Sequence, residues 1–285
     1  MAEIRDAALL LPSDLQAGPP EAPQASPGRQ PGRRRTPLLE GRFRHVIVVL
    51  SAGLLWHLLA TLIGDESRLP SPLSVGSELA PMVSSGELTD NALASLRRMM
   101  IGYLAAAIVA VPLGTAMALS RVVRAVVEPP LEALRPVPPL ALLPILLVLV
   151  GVGDMLATVI VMKAAFFPIL LNAYLGASEV DRVYLEAAKT LGVPRSQIVR
   201  RVIIPAAMPQ IFTGFRLGAQ FAWMSIVAAE LIGAHSGLGY LIVWYKQFLL
   251  MDRVVVVMIV IGIIGFVFDR LVVRASRRVV SWQAS

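Results

Sequence analysis

Cysteine is absent from the 285-residue chain, which excludes disulfides, thiolate metal sites and a cysteine nucleophile. Histidine is scarce: His45, His57 and His235 stand far apart without ligand spacing, so no metal centre is expected. His57 reads as a packed or hydrogen-bonded side chain. Aromatic residues make up only 6% of the chain and interleave with no basic patch, so the net charge of +7 does not point to nucleic acid. No G-x-x-x-x-G-K-[ST] segment occurs, and any ATP chemistry must belong to a partner. A Ser/His, metal or paired-Asp arrangement suited to hydrolysis is also missing.

Apolar residues are plentiful. They form 56% of the chain, the mean hydropathy is +0.71 and charged residues account for 16%, the composition of an all-α integral membrane protein. Residues 1–40 carry seven of the 21 prolines together with Gly, Ala and Arg, and read as a disordered, Pro/Arg-rich cytoplasmic tail. The apolar run from Val46 lies too deep in the chain for a secretory signal and is counted as the first span. Six spans are expected: Val46–Ile63, Met99–Ser120, Leu131–Val150, Met155–Leu175, Ile211–Ile232 and Val254–Val273. Pro136, Pro138, Pro139 and Pro144 should break or bend the third. The organisation is then a first span with its external loop (41–92), a core (93–273) and a C-terminal cytoplasmic tail (274–285).

Basic residues set the orientation. Arg29, Arg33, Arg34, Arg35, Arg42 and Arg44 precede the first span, Arg121, Arg124 and Arg135 follow the second, and Arg270, Arg274, Arg277 and Arg278 end the chain. The loop after the first span is acidic, with Asp65, Glu66, Glu78, Glu87 and Asp90. Arg97 and Arg98 stand at the outer mouth of the second span, and Gly151 to Asp154 makes a short external turn. Both termini are therefore expected in the cytoplasm.

Between the fourth and fifth spans lies EAAKTLGVPRSQIVRRVIIP, residues 186–205, with Lys189, Arg195, Arg200 and Arg201. Ser178 and Asp181 suggest a capping box, and Val183, Tyr184, Ala187, Ala188 and Leu191 recur at helical spacing. Gly192 can supply a left-handed residue ending that helix, and Pro194 suits the first turn of another through Ile198 to Ile203. Two short helices joined by a tight bend result. The small Ala187 and Ala188 would let another protein approach closely.

Glu186, Ala187 and Ala188, then Gly192 after three residues and Val202-x-Ile204-Pro205 after nine more, resemble the EAA signature of membrane subunits of ABC importers. Val202 and Ile204 replace the usual Ile and Leu. Beyond it, SLRRMMIGYLAAAIVAVPLG (95–114), LRPVPPLALLPILLVLVGVGD (134–154), AAFFPILLNAYLGASEVD (164–181), PAAMPQIFTGFRLGAQFAWMSIVAAE (205–230) and GLGYLI (237–242) are similar to the nitrate, sulfonate and bicarbonate branch of that family. The resemblance covers about two thirds of the chain, from Asn91 onward, and leaves out the tail. It implies a type I importer permease of the MetI-like fold in the bacterial inner membrane. It also implies a second permease copy as a homodimer, two copies of an ABC ATPase and an extracytoplasmic solute-binding protein. ATP would be hydrolysed by the partner, with no cofactor on this chain. Glu186, Ala187, Ala188, Gly192 and Pro205 would then form the coupling element that docks on the ATPase. Glu186 either pairs with a basic group there or caps its own loop. The solute implied is a small anion, an alkanesulfonate or a relative such as taurine, with nitrate, bicarbonate and heterocyclic nutrients as alternatives.

Ionisable groups within spans mark pathways or internal pairs. At ~100° per residue Arg216, Gln220, Trp223 and Glu230 fall within an arc of about 80°, one polar stripe on the fifth span, interrupted by Val227. The stripe faces either a pore or dimer interface, or an internal salt bridge with a packing Trp. Lys163, roughly 12 Å into the fourth span at ~1.5 Å per residue, either attracts an anionic solute or pairs with Glu230. The family resemblance favours a lysine nearer Thr158, so the chain departs from the pattern here. Gly237, Gly239 and Tyr240 suggest a tight turn into an external interfacial helix, and Pro168 with Asn172 a bend whose freed backbone groups are met locally. An ion-gradient-driven secondary transporter is the competing class, but the two related halves it would normally show are not found.

Overall fold

The computed structural model describes residues 38–279. Nearly all of the tail expected over residues 1–40 lies outside them. The chain divides into two units, Met1–Ala52 and Gly53–Ser285; helix α1 (Leu38–Ile63) begins in the first, and everything after Gly53 belongs to the second.

Local chemistry accounts for most helix ends. In α2 (Pro72–Ser84) the Ser71 hydroxyl accepts from the Ser74 amide at 3.1 Å, and Pro72 occupies the first turn, where its missing N–H costs nothing. Helix α3 (Glu87–Leu119) starts after the left-handed Gly86 and places Glu87 and Asp90 at its positive N-terminal end. Ser120 caps α4 (Arg121–Leu134) through the Val123 amide. The prolines then act. A single 3-10 turn, Pro139–Leu142, leads into α5 (Leu143–Val150), and this piece is bent by 86° from α4. The third span expected from Leu131 thus straddles a break at residues 135–138, because Pro136, Pro138 and Pro139 lack the N–H groups that a continuous helix needs. Gly151 and Gly153, both at positive φ, form the expected turn into α6 (Asp154–Ser178).

Helices α7 (Arg182–Thr190) and α8 (Arg195–Ile198) follow, then a π turn, Val199–Ile203, and α9 (Ile204–Gly233). From Arg195 to Gly233 the path is one 39-residue helix. The helix expected through Ile203 therefore runs on past Pro205. The proline leaves the carbonyl four residues back without its usual donor, and the wide turn just before it absorbs the misfit. Helices α10 (Leu238–Gln247) and α11 (Met251–Val279) complete the chain, so the C-terminal tail expected from residue 274 begins as helix.

The core forms around α6, which packs between α3 and α9. Leu156, Ile160, Ile169 and Leu170 of α6 are fully buried against Met99 and Ala106 of α3 and Ala222 and Ile226 of α9. Small residues allow the approach that packing in lipid requires. A Cβ on Gly114 would lie 2.5 Å from the Leu170 carbonyl oxygen, so the backbones of α3 and α6 approach each other directly there. Outward-facing Ile108, Val148, Met224 and Phe266 are exposed, as lipid-facing side chains would be.

Among the described residues four helices are long and apolar enough to span a membrane: α3, α6, the helix from Arg195 to Gly233 and α11. Counting the bent α4–α5 pair as one span gives five. The remaining expected span, from Val46, falls on α1, whose apolar part Ile47–Ile63 forms a shorter apolar helix.

Candidate functional site

The signature segment is an elbow. Asp181 rather than Ser178 starts α7, its Oδ1 accepting from the Val183 amide at 2.9 Å, while the Ser178 hydroxyl turns back onto the Leu175 carbonyl. The capping box is therefore a single cap. Gly192, at φ +69, closes the helix as its spacing required: its amide reaches the Lys189 carbonyl at 2.9 Å, and the Val193 amide reaches Ala188 at 3.1 Å. Pro194 precedes α8 as its cap residue rather than sitting inside it. The alanine pair divides. Ala188 is buried in a cluster with Ala177, Ile198, Ile203 and Ala207, whereas Ala187 and Glu186 are exposed. Val183, Tyr184 and Leu191 are 66%, 64% and 81% exposed. A polar, basic elbow thus presents apolar side chains on its outer side while its inner side is packed against α6 and α9. Such a patch invites a protein partner.

The stripe on α9 separates into two ends. Arg216 donates Nε and Nη2 to the Asp269 carboxylate on α11 at 2.9 and 3.2 Å, and Gln220 Nε2 reaches the same carboxylate at 3.3 Å. Trp223 donates Nε1 to the Ile261 carbonyl at 3.2 Å. Glu230, 1% exposed, lies in a closed knot. Its carboxylate accepts from Ser95 Oγ at 2.7 and 2.9 Å, from Arg98 Nη1 at 2.8 Å and from the Gly239 amide at 3.1 Å. Arg98, 4% exposed, also donates Nε to Asp154 at 2.7 Å and Nη1 to the Ser236 carbonyl at 2.7 Å, and Nη2 meets the Ser236 hydroxyl. Ser95 Oγ accepts from the Leu238 amide at 2.9 Å, and Asn91 accepts from the Gly237 amide at 2.6 Å.

The G-L-G turn follows from this knot. A Cβ on Gly237, at φ +114, would lie 2.3 Å from the Glu230 carboxyl carbon. Both ions of the pair are therefore held by several hydrogen bonds each, the condition under which a buried ion pair is tolerated. Their polar atoms are engaged within the chain, and what the knot does physically is fasten α3, α6, α9 and α10 at one end of the bundle.

Lys163 does not meet Glu230. Its ammonium donates to the Val137 carbonyl on the proline-rich break and lies 5.7 Å from the centre of the Phe167 ring. It borders a cavity of about 380 Å³ between that break, α6 and α9. Asn172 donates to the Pro168 carbonyl at 2.8 Å and accepts from Gln210 Nε2 at 3.2 Å, so the backbone near the proline is met locally. Among the described residues no group of His, Cys, Asp or Glu is placed to hold a metal ion.

Residues 102–281 match the family described as binding-protein-dependent transport system inner membrane component. The chain belongs to that family. It is a permease subunit of an ABC importer, a transport component and not an enzyme, and it is an inner-membrane protein. A putative ABC transporter permease of Methanocaldococcus jannaschii is 42% identical over 224 residues, 77% of this chain and 84% of the relative. The taurine transport system permease of Escherichia coli is 36% identical over 247 residues, 82% of this chain and 90% of the relative. Among solved structures, a chain of the MetNI methionine ABC transporter in an inward-facing conformation superposes with a TM-score of 0.57 at 20% identity, covering 70% of this chain and 98% of that one. The fold is accordingly MetI-like.

Sequence reasoning placed Arg98 at the outer mouth of the permease and gave Ser95, Asp154, Ser236 and Asp269 no role. The available signal was the buried acid. A carboxylate in a span needs a cation, and Arg98 immediately precedes the uninterrupted apolar stretch of α3 that begins at Met99.

Proposed function

We propose that this permease passes a small anionic nutrient, an alkanesulfonate or related organosulfonate such as taurine, delivered by an extracytoplasmic binding protein. Two copies of the chain form the pore, both termini face the cytoplasm, and the six-span count includes α1. Two partner ATPases hydrolyse the ATP, and this chain binds no cofactor. The elbow from Glu186 to Pro205 is the coupling loop on which each ATPase docks.

One observation carries the reading. The loop exposes Val183, Tyr184 and Leu191 on a basic segment whose inner side, through Ala188, Ile198 and Ile203, is packed onto the spans. A partner closing on the outer side pushes a body already joined to α9, and the motion passes into the membrane as displacement of packed helices. The taurine permease relative supports the choice of solute. Among the polar side chains suggested for the pathway, Lys163 is assigned to the solute. Arg216, Gln220, Trp223 and Glu230 are assigned to holding α9 against its neighbours.

The test is ATP-driven uptake of radiolabelled taurine and of ethanesulfonate by the complex in membranes. Glu186→Lys and Gly192→Pro are expected to release the ATPase on purification and abolish uptake while leaving the permease folded. Unchanged assembly and uptake in both variants sinks the coupling assignment. Uptake that persists without the ATPase and collapses with the proton gradient sinks the importer mechanism.

A further inference from the structure

The cavity of about 380 Å³ beside Lys163 has a one-sided charge balance. Arg135 and Lys163 both line it, and no carboxylate does. Every salt bridge among the described residues involves other cations, so Lys163 holds only the Val137 carbonyl and the face of Phe167. Arg135 also borders the adjoining groove containing Glu128 and Glu132, but Glu128 is taken by Arg124 at 2.9 Å. Cations inside spans ordinarily pair with acids or face a watery path. Here the second case applies, because the site is open, half-buried and walled by apolar side chains, Phe167, Leu217 and Phe221, on the sides away from the charges.

We propose that this cavity is a transient binding station for a small organic oxyanion. The acid group lies between Lys163 and Arg135, and the carbon portion lies against Phe167, Leu217 and Phe221. This rests on the importer reading and goes beyond it by naming the groups that meet the cargo. The Val137 carbonyl acts as the parking acceptor of the ammonium: an arriving sulfonate or carboxylate offers Lys163 a charged acceptor in place of a neutral one, a stronger hydrogen bond. Because Val137 sits in the break between α4 and α5, releasing that bond frees the proline-rich segment as the anion binds. Neither cation is bound covalently or permanently to the solute, as passage requires weak sites that also let go.

The absence of cysteine permits a direct test in the full-length chain in membrane vesicles. Leu171→Cys places the only thiol on the cavity wall. Its labelling rates with sulfonate-bearing and trimethylammonium-bearing methanethiosulfonate reagents are compared with the ratio for free cysteine. The expected result is a shift toward the anionic reagent of about tenfold, since local cationic charge raises anion concentration. That shift should vanish in Lys163→Gln with Arg135→Gln and persist in Lys163→Arg. Millimolar ethanesulfonate should slow labelling severalfold in the parent and not in the Gln pair. A ratio equal to that of free cysteine, a shift that survives removal of both cations, or a shift without ethanesulfonate protection overturns the proposal. The labelling needs neither ATPase nor binding protein, so it can fail while ATP-driven uptake is intact, and uptake can fail while the labelling pattern holds.

Discussion

Glu230 and Arg216 lie on the same face of α9 and differ in almost everything else. Glu230 is 1% exposed and surrounded by donors from α3 and α10, whereas the Arg216 side chain is 51% exposed and meets Asp269 from one side. A helical wheel cannot separate them, because angular position says which face a residue occupies and not what covers that face along its length. Near Glu230 three elements converge, and its charge is neutralised out of contact with the surroundings. Near Arg216 only α11 is opposed, and the pair sits at the surface of the chain. The same stripe thus contains a structural fastener at one end and a surface contact at the other.

The contrast can be broken hardest at the knot. Arg98→Ala or Glu230→Ala strands a buried charge, and each is expected to destabilise the permease by about 3–5 kcal/mol. Thermal unfolding of the purified chain measures this. Replacing both, Arg98→Met with Glu230→Leu, should recover much of the loss, because apolar residues remove the desolvation cost together with the attraction. If the double variant is no better than the single ones, the knot serves something other than mutual neutralisation.

Gly237→Ala attacks the same end without removing a charge. The new Cβ meets the Glu230 carboxyl carbon at 2.3 Å, and the alanine backbone must adopt φ +114. A loss of about 1–3 kcal/mol is expected from the strained backbone, read as a lowered Tm. An unchanged Tm would show that the G-L-G turn can move away from Glu230 and that the fastening is looser than the distances suggest.

Parts of this arrangement were legible in the chain and parts were not. Gly192 ends its helix at φ +69 because a glycine after a run of helical spacing has few other uses, and four clustered prolines had to break the third span. Each is a local effect, settled within a few residues. The role of Arg98 was not legible. Its partners Asp154, Glu230 and Ser236 lie 56, 132 and 138 residues away in sequence, so only the folded packing brings them together. Pro205 shows a local rule overridden: a π turn lets the helix run through it. The split of Ala187 from Ala188 is not legible either, because their spacing fits a small-residue patch equally well whether one or both face outward.

The coupling elbow offers a middle case, exposed like Arg216 and functionally demanding like a buried site. Gly192→Ala should cost about 1–2 kcal/mol in stability, since one residue is forced into the left-handed region while its Cβ meets open space. ATP-driven uptake should nonetheless fall severalfold if the angle between α7 and α8 matters to docking. Wild-type uptake at slightly reduced Tm would show that the elbow tolerates a small shift in its bend.

The smallest expected effect lies at the Arg216 end. A double-mutant cycle with Arg216→Gln and Asp269→Asn isolates the pair, and the coupling should not exceed about 1 kcal/mol, declining with added salt, as for contacts reached by water. Gln220 supplies a second donor to Asp269 at 3.3 Å, so the carboxylate is not abandoned when Arg216 is neutralised, which lowers the expected value further. A coupling as large as that between Arg98 and Glu230, and insensitive to salt, would mean that lipid or a second permease copy seals this surface from water. The two ends of α9 would then be alike, and the exposure of Arg216 would belong to the isolated chain alone.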